Sequence, residues 1–149
     1  MNLADVVIPT GVVQPGSTFQ DAVKACVEAG VPGIPYVDEA GRIVGRFSLR
    51  HGFRVACVAN SALRGGQLLG DDMDYFTSLP MDVAGVKAVP VEDFVLRDSI
   101  RLDVDVGIEQ VLQKMEDYNT GYLFLEDEGR YLGVITRIGV AKLVLEGGC

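Results

Sequence analysis

The sequence predicts an α+β fold built twice, as two βαββα units in tandem that share one core. Three observations predict it: a hairpin-like text occurs twice, a capped amphipathic helix precedes each copy, and an apolar helical segment follows each. The first copy, Ile34 to Ser48, reads IPYVDEAGRIVGRFS, and the second, Tyr122 to Thr136, reads YLFLEDEGRYLGVIT. Both run through an apolar stretch, an acidic turn, Gly-Arg, a second apolar stretch containing glycine, and a hydroxyl residue. Recurrence of order and spacing together marks a duplicated unit.

In chain order, Val6-Val7-Ile8 to Val12-Val13 reads as a strand or strand lead-in. Ser17 followed by Gln20 resembles a capping box, and Phe19, Ala22, Val23, Cys26 and Val27 then recur at helical spacing up to Gly30, a residue suited to a left-handed helix end. A hairpin follows, its tight turn supplied by Gly41. The next predicted helix runs from Leu49 to about Leu63, with Phe53, Ala56 and Cys57 on one side. In the second unit, Phe94-Val95-Leu96 to Ile100 is the lead strand. Asp105 is the candidate N-cap, Ile108, Val111, Leu112 and Met115 form the stripe, and Asn119 is the terminator. The second hairpin turns at Gly129, and a last helix, Arg137 to Leu145, repeats Ile138, Ala141 and Leu145.

Arg64 to Asp93 departs from this plan, because Gly65-Gly66, Gly70 and Pro80 interrupt any long helix. We read repeats at 5–63 and 93–146, joined by an inserted linker over 64–92 with one short helix at Asp72 to Leu79. Asp71, Asp72 and Asp74 suit the positive end of that helix, whereas a hard-cation loop needs more oxygen ligands and a glycine inside it.

Charge and composition narrow the function classes. With 13 Lys+Arg against 21 Asp+Glu the net charge is -8, so the average field repels nucleic-acid polymers. Hydrophobic residues make up 48%, ample for a core, yet no apolar run reaches the roughly 18 residues of a membrane span. The first residues lack the basic and long apolar regions of a secretion signal, so a cytoplasmic location without membrane insertion is expected. The 3 cysteines form no Cys-x-x-Cys pair and His51 is the 1 histidine, a poor basis for structural zinc. There is no Gly-x-Ser-x-Gly elbow and no phosphate-binding Gly-x-x-x-x-Gly-Lys loop, so catalysis is not expected.

The stretches IPYVDEAGRIVGRFSLRHGF and YLFLEDEGRYLGVITRIGV resemble the CBS-domain family, in which two βαββα repeats pack through their strands into a pseudo-twofold module. The resemblance spans about residues 5 to 58 and 93 to 146. It implies a stand-alone regulatory module that needs no cofactor and is not an enzyme. Such a module binds AMP, ADP, ATP, S-adenosylmethionine or a related dinucleotide between its repeats, modulates a partner protein, and forms a homodimer through the second helix of each repeat.

The resemblance also implies site residues. Ser48 and Thr136 sit where strand becomes helix, so a hydroxyl and helical N–H groups can converge on a phosphate there. Arg46, Arg50, His51 and Arg54 cluster after the first hairpin, and Arg137 follows Thr136. Thr10, Val12, Ile34 and Pro35 match base-pocket positions in the first repeat, as do Asp98, Ile100, Tyr122 and Leu123 in the second; the Tyr122 ring can stack on a base. The family's ribose-binding Asp, three residues after the hydroxyl, is replaced by His51 and Gly139. Losing one charge-assisted hydrogen bond costs roughly 1.5 to 3 kcal/mol. Plainer roles stand beside these: Arg50 and Arg54 as a solvated helix face, Ser48 and Thr136 as caps, Ile34 and Ile100 as strand-end packing. The alternative function is a constitutive dimeric scaffold or adaptor with non-binding clefts. Met73, Tyr75, Phe76, Leu79 and Met81 would then form a partner surface or cover the module's own core.

Overall fold

The structure is a computed structural model and describes residues 2–59, 87–98 and 100–147, apart from the side chains of 57–59. The predicted linker helix and its three aspartates lie outside the described residues. In order come α1 (Leu3–Val6), α2 (Phe19–Ala29), β1 (Gly33–Val37), β2 (Ile43–Ser48) and α3 (Leu49–Phe53), which continues as a π-helical turn, Arg54–Ala59. Next among the described residues come a 3-10 turn (Val91–Phe94), β3 (Val95–Leu96), β4 (Arg101–Asp103), α4 (Ile108–Asp117), β5 (Tyr122–Asp127), β6 (Arg130–Thr136) and α5 (Arg137–Leu145).

Both predicted hairpins form, β1 with β2 and β5 with β6, each antiparallel and each with a register shift just before its turn. The lead segments behave differently from single strands. Each splits in two, one part pairing with its own hairpin and the other crossing to the opposite repeat. Val13 lies parallel to β1, bridging to Tyr36, as β4 lies parallel to β5. Ile8 instead exchanges two 2.8 Å hydrogen bonds with Val134 of β6, and β3 pairs with Arg46 and Phe47 of β2. The crossing explains a shared glycine. The backbone carbonyl of Leu96 comes down on Gly45, and that of Ile8 on Gly133, leaving no room for a Cβ at either. Each sheet is thus completed by the other repeat, which removes part of an open edge from both hairpins.

Two helix starts fall later than their sequence signals. Ser17 belongs to the turn over Pro15-Gly16, where its hydroxyl accepts from the Gln14 amide. Thr18 caps α2 in its place, by a reciprocal pair with Asp21. Asp105 lies in the turn after β4, with its amide on the Asp103 carboxylate, and α4 starts after Gly107, whose N–H donates to the Gln110 side chain. The helix ends agree with expectation, since Gly30 is left-handed at φ 69° and Asn119 has φ 49°. The lead segment begins as helix, because Val6 closes α1, and Phe94 lies in the 3-10 turn.

Apolar strand faces from both repeats fill the core, where Ile34, Phe47, Ile100, Leu123, Phe124 and Ile135 have no exposed surface. Phe19 joins the repeats, its ring 5.7 Å from Phe47 and 4.6 Å from Phe94. Burying side chains of this size contributes roughly 1.5 to 3 kcal/mol each before entropy is subtracted. The first hairpin turn is the longer: Val37 faces Ile43, whereas Asp127 faces Arg130. As a result Gly33 faces Ser48 just as Tyr122 faces Thr136, and the two equivalent positions meet across the interface between the repeats. A Cβ on Gly33 would overlap the Tyr122 ring, so a tyrosine on one side requires a glycine on the other. Gly33→Ala should therefore destabilise by about 1 to 3 kcal/mol, the usual cost of overpacking. In combination with Tyr122→Ala it should cost clearly less than the two single changes added together. Urea denaturation of the four proteins in a double-mutant cycle measures this coupling.

Candidate functional site

Strand geometry places alternate residues of β2 on one face, so Arg46 and Ser48 point the same way at its end. The chain then turns into α3, which carries Arg50, His51 and Arg54. These five residues line one side of a cavity of about 470 Å3. The opposite side is the loop of the second repeat from Tyr118 to Tyr122, with Pro32 and Leu96 closing the remainder. A volume of this order suits a small-molecule ligand.

Arg46 is the deepest charge in the site, only 8% exposed. Its guanidinium forks onto Asp98, Nε donating to Oδ1 at 2.9 Å and Nη2 to Oδ2 at 3.1 Å. Nη1 donates to the Tyr122 hydroxyl at 2.9 Å and to Thr120 Oγ1 at 3.4 Å. Burial opposes the arginine's charge, but hydrogen bonding to Asp98 and the contact with Tyr122 outweigh it and raise its pKa. The Tyr122 phenol is also pushed up, by burial, with Arg46 and Ser48 pulling the other way. His51 is held below its ordinary value by burial, then by Arg54 and Arg46, against a smaller opposite pull from Asp98. Arg50 and Arg54 are exposed and make no ion pair among the described residues.

A second cavity of about 370 Å3 lies at the equivalent place on the other side, between Thr136, Arg137 and Ile138 and the first repeat's Ile8, Gly30 and Pro32. Here the Thr136 hydroxyl is used as a cap, accepting from the Gly139 amide at 3.2 Å.

The structure thus brings Ser48, Arg50, His51, Arg54 and Tyr122 to the first cavity and Thr136 and Arg137 to the second. The other expected positions line neither. Ile34, Ile100 and Leu123 are sealed in the core and Pro35 is buried within β1, because the strand positions proposed for a base pocket face inward. Val12 is 37% exposed, Thr10 hydrogen-bonds to the Tyr131 hydroxyl, and Asp98 is engaged by Arg46. The Ser48 hydroxyl makes no capping bond, and the regular helix after it is only five residues long, so this junction differs from the one at Thr136. Sequence reasoning placed Arg46 in the basic cluster but missed its pairing. The signal was a cation at an inward strand position where the second repeat has Val134. It also missed the wall from Tyr118 to Gly121, which carries no distinctive residue pattern.

Among the described residues no group of His, Cys, Asp or Glu could hold a metal ion, and no helix is long and apolar enough to cross a membrane. Cys26 is buried, and burial pushes its thiol up to about 12, outside the range of a reactive thiolate. Removing Asp98 while leaving Arg46 in place should be costly, since it strands a buried cation. Asp98→Ala is expected to lower stability by about 1.5 to 3 kcal/mol, and Arg46→Met together with Asp98→Leu by much less. Chemical denaturation at neutral pH distinguishes the two.

Comparison with known proteins bears on the family and the fold. A family model described as the CBS domain matches residues 4–55 and 91–146. A comparison with the sequences of curated proteins finds no match. Solved structures of similar fold include an uncharacterized conserved protein from Pyrococcus horikoshii, 21% identical with a TM-score of 0.64, covering 97% of this chain and 95% of that one. Another is a CBS domain-containing protein of unknown function from Bacillus anthracis, 19% identical with a TM-score of 0.67 over 98% and 94% of the two chains. A third is the CBS domain pair of protein MJ0100 in complex with 5′-methylthioadenosine and S-adenosyl-L-methionine, 18% identical with a TM-score of 0.63 over 99% and 98%. The family match over both repeats, on a fold with one sheet and flanking helices in each, leads to one conclusion: this chain belongs to the CBS-domain family.

Proposed function

We propose that the chain is a regulatory module that binds an adenine nucleotide in the first cavity and thereby biases a partner protein. One observation carries this reading. Arg50 and Arg54 present two charges to that cavity without an ion-pair partner among the described residues, in a chain of net charge -8. Unpaired guanidinium groups a helical turn apart match the oxygens of a phosphate group. The likeness to a domain pair complexed with adenosyl compounds supports adenine as the base. Between adenosyl ligands, the arginines favour AMP, ADP and ATP over S-adenosylmethionine, whose sulfonium is itself cationic. Ser48, Tyr122 and His51 complete the contacts in this reading, with Thr136 and Arg137 serving the second cavity.

Regulation follows if the ligand binds one arrangement of the two repeats more tightly than another. The rest of the reading is a cytoplasmic, non-catalytic module with repeats at 5–63 and 93–146 and a linker between, paired as a homodimer through α3 and α5. Ile138 and Leu145 support that pairing, being 69% and 86% exposed on α5. Ile138→Asp with Leu145→Asp should convert dimer to monomer in sedimentation without loss of fold.

A thermal-melt screen with AMP, ADP, ATP and S-adenosylmethionine tests the central claim. A ligand at one hundred times its dissociation constant stabilises by about 2.7 kcal/mol. Arg50→Ala should weaken nucleotide binding at least tenfold, about 1.4 kcal/mol. Arg42→Ala is the control, since Arg42 lies at the first hairpin turn, pairs with Asp38 and lines neither cavity. Equal affinities for these two variants, or no shift with any ligand, would sink the proposal.

A further inference from the structure

We infer that Asp98 is an internal competitor for the anion that enters the first cavity: a ligand's phosphate takes Arg46 from it, and this exchange passes occupancy of the cavity to the second repeat. The inference rests on the nucleotide reading given above.

Arg46 and Asp98 stand at a place that the fold builds twice and charges once. The carbonyls of Leu96 and Ile8 come down on Gly45 and Gly133, so Leu96 corresponds to Ile8, Asp98 to Thr10 and Arg46 to Val134. At that second place Val134 is buried and Thr10 hydrogen-bonds to the Tyr131 hydroxyl, with no charge on either. The architecture is thus complete without an ion pair, and a pair at one cavity alone has another reason.

The geometry supplies it. Arg46 lines the cavity and Asp98 does not, so an entering anion meets the guanidinium and not the carboxylate. The fork, Tyr122 and Thr120 engage all but one of the N–H donors of Arg46 among the described residues. The remaining donor belongs to a side chain only 9% exposed. A phosphate that joins there competes for the fork, because a guanidinium takes phosphate and carboxylate oxygens in the same two-pronged geometry. Asp98 can give way, since its side chain is 33% exposed and water can solvate the released charge. Arg46 is too deep to stand unpaired, and exchanging one anion for another keeps its charge balanced.

The exchange also loosens a connection. Leu96 pairs with Arg46 of the first repeat, while the Ile100 carbonyl accepts from the Phe124 amide of the second at 2.8 Å. Asp98 lies between these anchors, so its bond to Arg46 fastens the chain where it crosses between the repeats. By linkage, whatever Asp98 contributes to the empty protein through Arg46 is subtracted from ligand binding.

Isothermal titration with ADP, and with inorganic pyrophosphate as a base-free probe, tests this on the full chain as wild type, Asp98→Asn, Arg46→Met and the double variant. Asp98→Asn should bind both ligands about tenfold more tightly than wild type, the effect of one charge-assisted hydrogen bond. The gain should vanish where Arg46 is Met. An equal gain with and without Arg46 is plain repulsion through space and overturns the exchange, as does unchanged or weaker binding by Asp98→Asn. Wild-type protein alone gives a second measurement, needed should Asp98→Asn not fold: ADP should quicken amide hydrogen exchange in β3, and exchange there that slows or stays the same overturns the inference. Each of these failures leaves the nucleotide reading standing. Failure of the wild-type chain to bind AMP, ADP or ATP overturns that reading itself.

Discussion

The buried fork between Arg46 and Asp98 is the interaction on which the polar character of the first cavity depends. A guanidinium this deep is tolerated only with its charge balanced and its donors used, and three pieces of chain supply the partners: the segment after β3, the loop at Thr120, and Tyr122 at the start of β5. All three belong to the second repeat, while Arg46 belongs to the first. Because a well-packed apolar pair can replace a buried ion pair with little loss of stability, the fork contributes more to the polarity of the cavity than to cohesion. It sets a polar wall where the second repeat has buried Val134.

Cohesion comes from elsewhere, chiefly from the exchanged lead segments and the aromatic contacts around Phe19. Ile8 on β6 and β3 on β2 are sequence-distant pairings that neither repeat can satisfy alone. Their close approach at Gly45 and Gly133 gives the glycine common to both copies of the hairpin text a physical reason, namely room for a crossing carbonyl. A single repeat would expose both a strand edge and an apolar face, so the pair is the smallest unit that buries its surface.

Much of this was legible in the sequence. The hairpins, the order of elements and the ends of α2 and α4 follow from local signals, namely alternating apolar runs, an acidic turn with glycine, and residues that adopt positive φ. Helix starts were misread where two capping residues stood close together, as at Ser17 and Thr18, since only the packed chain decides which one the preceding turn takes. The crossing of the lead segments was not legible, because a short apolar run looks the same whichever partner it pairs with. For the site, the Arg50, His51 and Arg54 cluster was readable as helical spacing of cations. The base-pocket positions were not, because whether Ile34 or Leu123 faces a cleft or the core depends on how two sheets meet.

The meeting of Gly33 with the Tyr122 ring shows how far the duplicated halves have drifted apart. In a symmetric pair each cleft would be a copy of the other and two equivalent molecules could enter. Here the aromatic ring and three arginines stand on one side, and the opposite recess is smaller, with a single cation and a threonine already committed to its own helix. On the reading proposed above, two molecules entering such a chain would be held with unequal strength, and occupancy would rise in two separate steps.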